Sequence, residues 1–98
     1  MEEQKELKCI DALNNLFTGR YGKDEYSTNG PKDSAVCIEK IDSKWAVYEK
    51  EKSSKNDYHD YDNVVEACLD MIARMAFGDD IVALKNEFLN AIVGIKTA

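Results

Sequence analysis

The chain of 98 residues contains one proline, one histidine, one tryptophan and five glycines. It also lacks any long apolar run. A membrane-spanning helix needs roughly 20 consecutive apolar residues, so the sequence predicts no such span. With His59 as the single histidine, HExxH metal chemistry is excluded, and neither GxxxxGK[ST] nor GxGxxG phosphate loops occur. Cys9, Cys37 and Cys68 are odd in number, widely spaced and set within apolar patterns. That spacing suits neither a CxxC pair nor a metal cluster, and predicts free thiols packed in a core. The first six residues, Met1-Glu2-Glu3-Gln4-Lys5-Glu6, are charged with no apolar stretch behind them, unlike a secretory signal. The expectation is a soluble, cytoplasmic, monomeric protein without cofactor or metal.

Positive charge is also scarce. Thirteen Lys and Arg face nineteen Asp and Glu, a net charge of −6. Phosphate backbones repel so acidic a chain, which argues against direct nucleic-acid binding and suits a basic partner. The apolar fraction of 44% is that of an ordinary globular protein, and the length suits one domain, residues 1–98.

Apolar spacing divides the chain into elements. Leu7, Ile10, Leu13 and Phe17 recur at helical steps, with Cys9, Ala12 and Leu16 beside them, predicting a helix over 3–17. Glu2, Glu3 and Glu6 fall at its positive end. Residues 18–34, punctuated by Gly19, Gly22, Gly30 and Pro31, read as a long polar loop. From Ala35 the period becomes two. Val36 and Ile38 take one face, and Ala35, Cys37 and Ile41 the other. Asp42-Ser43 marks a hairpin, tight or slightly longer because glycine is missing. A second strand over 44–50 puts Trp45 and Val47 opposite Ala46 and Tyr48. Ser53-Ser54-Lys55-Asn56 reads as a turn, and Tyr58–Tyr61 as a short third strand. Asn63, with Glu66 three residues on, opens a helix over 63–76 whose stripe is Val64, Cys68, Met71, Ile72 and Met75, with Val65 and Leu69 beside it. Gly78 follows. Asp79 or Asp80 starts a last helix carrying Ile81, Leu84, Phe88 and Ile92, with Gly94 as its stop. The predicted fold is α+β: an N-terminal helix, a three-stranded antiparallel meander and two C-terminal helices packed on one face of the sheet.

Three constellations around His59 deserve weighing. A Cys–His pair is set in space rather than in sequence, and no local signature marks one. Asp57, His59, Asp60 and Asp62 are possible metal ligands, but a calcium loop started at Asp57 would place Asp62 where glycine belongs and Cys68 where a bidentate Glu belongs. The third is a gap in the cations. From Asn56 to Ala73 there is no Lys or Arg, yet Asp57, Asp60, Asp62, Glu66 and Asp70 all lie there, with Tyr58 and Tyr61 among them. Tyrosine offers rigid contact area with few rotors, and carboxylates meet Lys and Arg of a basic protein. The candidate partner-binding residues are therefore Asp57, Tyr58, Asp60, Tyr61 and Asp62, with Glu49 and Glu51 as a rim. Trp45 and Tyr48 suit either an interface or the core.

The segment Lys44-Trp45-Ala46-Val47-Tyr48-Glu49-Lys50-Glu51, followed by Tyr61-Asp62-Asn63-Val64-Val65-Glu66-Ala67-Cys68, resembles small bacterial immunity proteins of polymorphic toxin systems, including contact-dependent growth inhibition. Their pattern is W-x-V-Y-x-x-E-x-G, then an aromatic-Asp-Ser opening onto a helix with Glu-Ala-Cys. Asn63 stands in place of Ser, and the hairpin glycine is replaced by Ser53-Ser54. The likeness spans roughly Val36 to Met75. It implies a non-catalytic inhibitor of a cognate toxin, often a basic nuclease, and the expectation here is a ribonuclease. An acidic regulatory or adaptor domain that mimics nucleic acid is the alternative expectation, and a small metal-dependent hydrolase is a third.

Overall fold

A computed structural model describes residues 2–93, with side chains from residue 4. Seven elements follow in order: α1 (Glu2–Phe17), β1 (Tyr26–Ser27), β2 (Ala35–Ile41), β3 (Lys44–Glu51), β4 (Ser54–Tyr61), α2 (Val64–Met75) and α3 (Asp80–Ala91). The fold class is α+β, as expected. Gly94, expected to end the last helix, and the side chains of Glu2 and Glu3 lie outside the described residues.

The sheet order is β1-β2-β3-β4. β2, β3 and β4 form the expected antiparallel meander. A fourth strand is added within the presumed loop, where β1 pairs parallel with β2 through Tyr26↔Val36 and Ser27↔Cys37. Two residues among glycines and charges carry no alternation, so β1 has no signature in the pattern. β4 also begins earlier than expected. The second hairpin turns at Lys52-Ser53, pairing Glu51 with Ser54, and β4 runs from Ser54 rather than Tyr58. Asp42-Ser43 is a two-residue turn after all, pairing Ile41 with Lys44. It closes without glycine because Asp42 takes φ 58°, a left-handed conformation that Asp reaches more readily than most side chains.

The period of two sorts the strands as the sequence suggests. Val36, Ile38, Trp45 and Val47 turn toward the helices and join one core with Leu13, Phe17, Met71, Ile72, Leu84, Phe88 and Ile92. Ala35, Cys37, Ala46 and Tyr48 make a second, smaller buried cluster on the opposite face, flanked by Ile41. Burying each large aliphatic or aromatic side chain contributes roughly 1.5–3 kcal/mol, so the helix-side cluster supplies most of the stability.

All three helices sit on that side. α2 lies against β2, β3 and β4, and α1 and α3 pack on α2 and on each other. Asn63 caps α2, its Oδ1 accepting from the Val65 N–H at 2.7 Å. The α2 stripe is buried as its spacing predicts. On α1 the buried line is Cys9, Leu13 and Phe17, with Ile10 and Leu16, while Leu7 is 64% exposed. The stripe is therefore rotated from the one drawn through Leu7. Glu6 ties α1 to the sheet, accepting from Trp45 Nε1 at 2.9 Å and from Lys40 Nζ at 2.8 Å. These bonds outweigh the burial that would raise the Glu6 carboxyl, and they hold it below its usual range.

Candidate protein-binding surface

β4 is the edge of the sheet, and every residue from Ser54 to Asp60 is exposed. Its pairing slips once. Val47 faces His59, but Glu49 faces Asn56, so Asp57 is the extra residue of a β-bulge at φ 51°. Bulges and charges are the usual means of keeping an edge strand from pairing with stray strands. Beyond the bulge the alternation sets Tyr58, Asp60 and Asp62 on the face away from the helices, and His59 and Tyr61 on the helix side.

On the outer face Tyr58 stacks on Tyr48, with ring centroids 5.9 Å apart and planes inclined by 15°. Tyr48 is fully buried beneath it, and its hydroxyl donates to Glu39 at 2.7 Å. Lys55 lies 4.8 Å over the Tyr48 ring and 3.3 Å from the same Glu39. Burial, then the hydrogen bond to Glu39, pushes the Tyr48 phenol far upward. Asp60 follows on this face, paired in register with the small Ala46. Asp62 stands 3.4 Å from Lys44.

On the helix side Tyr61 is half-buried, donating to Asp70 of α2 at 2.7 Å. Burial and that carboxylate raise its phenol. Arg74 meets Asp70 at 3.2 Å and Glu49 at 3.6 Å, and its Nη2 donates to the Asp57 carbonyl. The stretch without cations is thus less bare in space than in sequence. Arg74 reaches back from just beyond its end to Asp70, and Lys44 comes across from β3 to Asp62, whereas Lys55, one residue before the stretch, turns to Glu39.

The seven candidate residues divide accordingly. Tyr58, Asp60 and Asp62 share the outer face, Asp57 sits at the bulge between the two sides, and Tyr61 and Glu49 are engaged by α2. Glu51 is exposed at the hairpin end. Among the described residues, the side chains of Asp57, Asp60, Glu51 and Glu66 make no ion pair. Trp45 and Tyr48, open to either role in the sequence, are both buried. Sequence reasoning missed Glu39 and Lys55, whose partnership with Tyr48 appears only once β2, β3 and β4 are aligned. It also missed Phe77, 83% exposed just after α2.

His59 is exposed on the edge strand, whereas all three cysteines are buried. Burial raises the thiols of Cys37 and Cys68, the opposite of what a nucleophilic thiol requires. Among the described residues no group of three or more His, Cys, Asp or Glu is disposed to hold a metal ion, and no helix is long and apolar enough to cross a membrane.

Comparison with known protein families, curated proteins and solved structures finds no match to this chain. The resemblance to immunity proteins rests on its motif residues alone. Several of those have structural work here: Trp45 and Cys68 fill the helix-side core, Tyr48 the outer cluster, and Tyr61 binds Asp70.

Proposed function

We propose that this chain is a non-catalytic protein-binding domain that neutralises a basic partner, acting as an immunity protein against a toxin nuclease in the same cytoplasm. The observation that carries this reading is the exposed edge strand. Tyr58, braced on a buried Tyr48, stands next to Asp60 with Asp57 at the bulge, and neither carboxylate has a charged partner among the described residues. A rigid aromatic beside uncompensated carboxylates fits a surface rich in Lys and Arg. A nuclease presents such a surface to its substrate, and covering it blocks the reaction without any chemistry from the inhibitor. The ribonuclease class and the contact-dependent inhibition setting come from the motif resemblance.

The test is capture from the native lysate at low salt, followed by assay of what is captured. The reading predicts a basic protein whose nuclease activity falls to background on addition of one equivalent of this chain. A captured transcriptional regulator, or a nuclease left fully active, would contradict it.

A further inference from the structure

Asn29-Gly30 lies in the connection between β1 and β2, where residues 28–30 bend without a main-chain turn bond. We propose that Asn29 is a site of self-modification. In the folded chain its side-chain amide is displaced by the Gly30 nitrogen, leaving an aspartyl or isoaspartyl residue. This chemistry stands whether or not the chain neutralises a nuclease.

The reaction needs an accessible asparagine, a following main-chain nitrogen with no competing bond, and no side chain crowding that nitrogen. Asn29 is exposed, and its Nδ2 makes no hydrogen bond among the described residues. Gly30 has no Cβ and takes φ 116°, a conformation glycine adopts freely. Its carbonyl accepts from Ser27 Oγ at 2.7 Å. Its N–H, though Gly30 is buried, meets no acceptor among the described residues. A buried donor left unmet is costly, and ring closure removes it. The other asparagines lack this combination. Asn14, Asn15, Asn86 and Asn90 lie within helices, where the next N–H is bonded to the preceding turn. Asn63 precedes the β-branched Val64 and is held by capping α2, and Asn56 precedes Asp57 inside β4.

The Gly30 nitrogen gives up its proton to hydroxide and attacks the Asn29 Cγ. The N–Cγ bond forms, the Cγ–Nδ2 bond breaks, and Nδ2 leaves as ammonia with a proton from water. Water then opens the five-membered imide. Cleavage at Cγ gives aspartate, and cleavage at the main-chain carbonyl gives isoaspartate. Water enters, ammonia leaves, and nothing is oxidised. Isoaspartate adds one carbon to the main chain between residues 29 and 30. A Cβ at Gly30 would stand 3.7 Å from Glu39 Oε2, and Glu39 takes both the Tyr48 hydroxyl and Lys55. The change is therefore passed to the outer face of the sheet.

The full folded chain is incubated at neutral and mildly alkaline pH, digested, and each asparagine peptide weighed, with isoaspartate counted by enzymatic methylation. Acid should replace amide at Asn29 several-fold faster than at any other asparagine, and faster at the higher pH. Its rate should lie within about ten-fold of that in the same chain unfolded in urea. Asn29→Gln, which would close a larger ring, should abolish it. Amide-correlation NMR of the aged chain should show shifts at Glu39 and Tyr48. A folded rate more than about ten-fold below the unfolded one, or equal rates at the other asparagines, would overturn the proposal. Unmoved signals at Glu39 and Tyr48 in fully converted chain would overturn the link to the outer face.

Discussion

Tyr58 lies stacked on Tyr48 at 5.9 Å between ring centroids, yet one ring is exposed and the other fully buried. The pair joins the small outer cluster to the surface proposed for binding. Their substitutions should therefore separate stability from recognition. Tyr58→Ala should cost about 0.5–1.5 kcal/mol, the worth of an aromatic pair, and should impair partner binding far more than folding. Tyr48→Ala should cost about 3–5 kcal/mol, as for other buried aromatics, and strand Glu39 and Lys55. Denaturant unfolding of the two variants checks the difference.

Glu6 predicts the acid limb of the stability curve. Its carboxyl is held below the usual value of 4.5 by Lys40 and Trp45 against the effect of burial. A depressed carboxylate contributes stability above its unfolded pKa, and the contribution is lost as pH falls through the lower folded value. Glu6→Ala should thus destabilise the protein at neutral pH by about 1–3 kcal/mol, since a buried donor and a lysine lose their acceptor. The variant should lose less than the parent on going below pH 4.5. Urea unfolding across that range measures both effects.

The alkaline limb draws on the thiols of Cys37 and Cys68 and the phenol of Tyr21, all raised first by burial, and on Tyr48 and Tyr61. The last two phenols are raised above the usual 10.0 by burial first and by a carboxylate bond second. For a raised pKa the sign reverses. The contribution to stability is complete below the unfolded value and is lost as pH rises toward the folded one. Stability should fall from the usual thiol value of 9.0 and further above 10.0, and the phenolate absorbance of Tyr48 and Tyr61 should appear with unfolding rather than before it. Tyr61→Phe, which frees Asp70 from its phenol, should reduce that alkaline loss.

Arg74 is the link between α2 and the edge strand. Arg74→Met keeps the stem but removes the bonds to Asp70 and to the Asp57 carbonyl. The expected cost is about 2–3 kcal/mol, as for hydrogen bonds to a charged group. The sharper readout is local: amide exchange should quicken around Asp57 and Tyr58 before it quickens in β2 or β3. Uniform acceleration would mean that the bulge is held by the sheet alone.

Much of this architecture is legible in the chain, for identifiable reasons. β2 and β3 read as short unbroken apolar runs, Ala35–Ile38 and Trp45–Tyr48, because each has one face on the large core and the other on Tyr48's cluster. α2 reads clearly because it touches three strands and two helices, leaving a wide buried stripe. β4 is harder to read. Ser54-Lys55-Asn56-Asp57 buries nothing, so no apolar rhythm announces a strand, and the bulge at Asp57 shifts its phase midway. Leu7 misleads for the opposite reason, an apolar residue on the side of α1 turned away from the core. The acidic stretch was visible as composition, but Arg74, one residue past its end, could be placed only by the fold.

The central claim is tested most directly by the affinity of the captured basic partner for the Asp60→Lys, Asp62→Lys double variant. Calorimetry at low and high salt would compare it with the parent, alongside thermal unfolding of each. If the outer face of β4 carries recognition, affinity should fall by about a hundred-fold, as for reversal of charges at a complementary interface. The salt dependence should shrink, and the melting temperature should hardly move. Undiminished affinity in a correctly folded double variant would contradict the account and remove the edge strand from the interface.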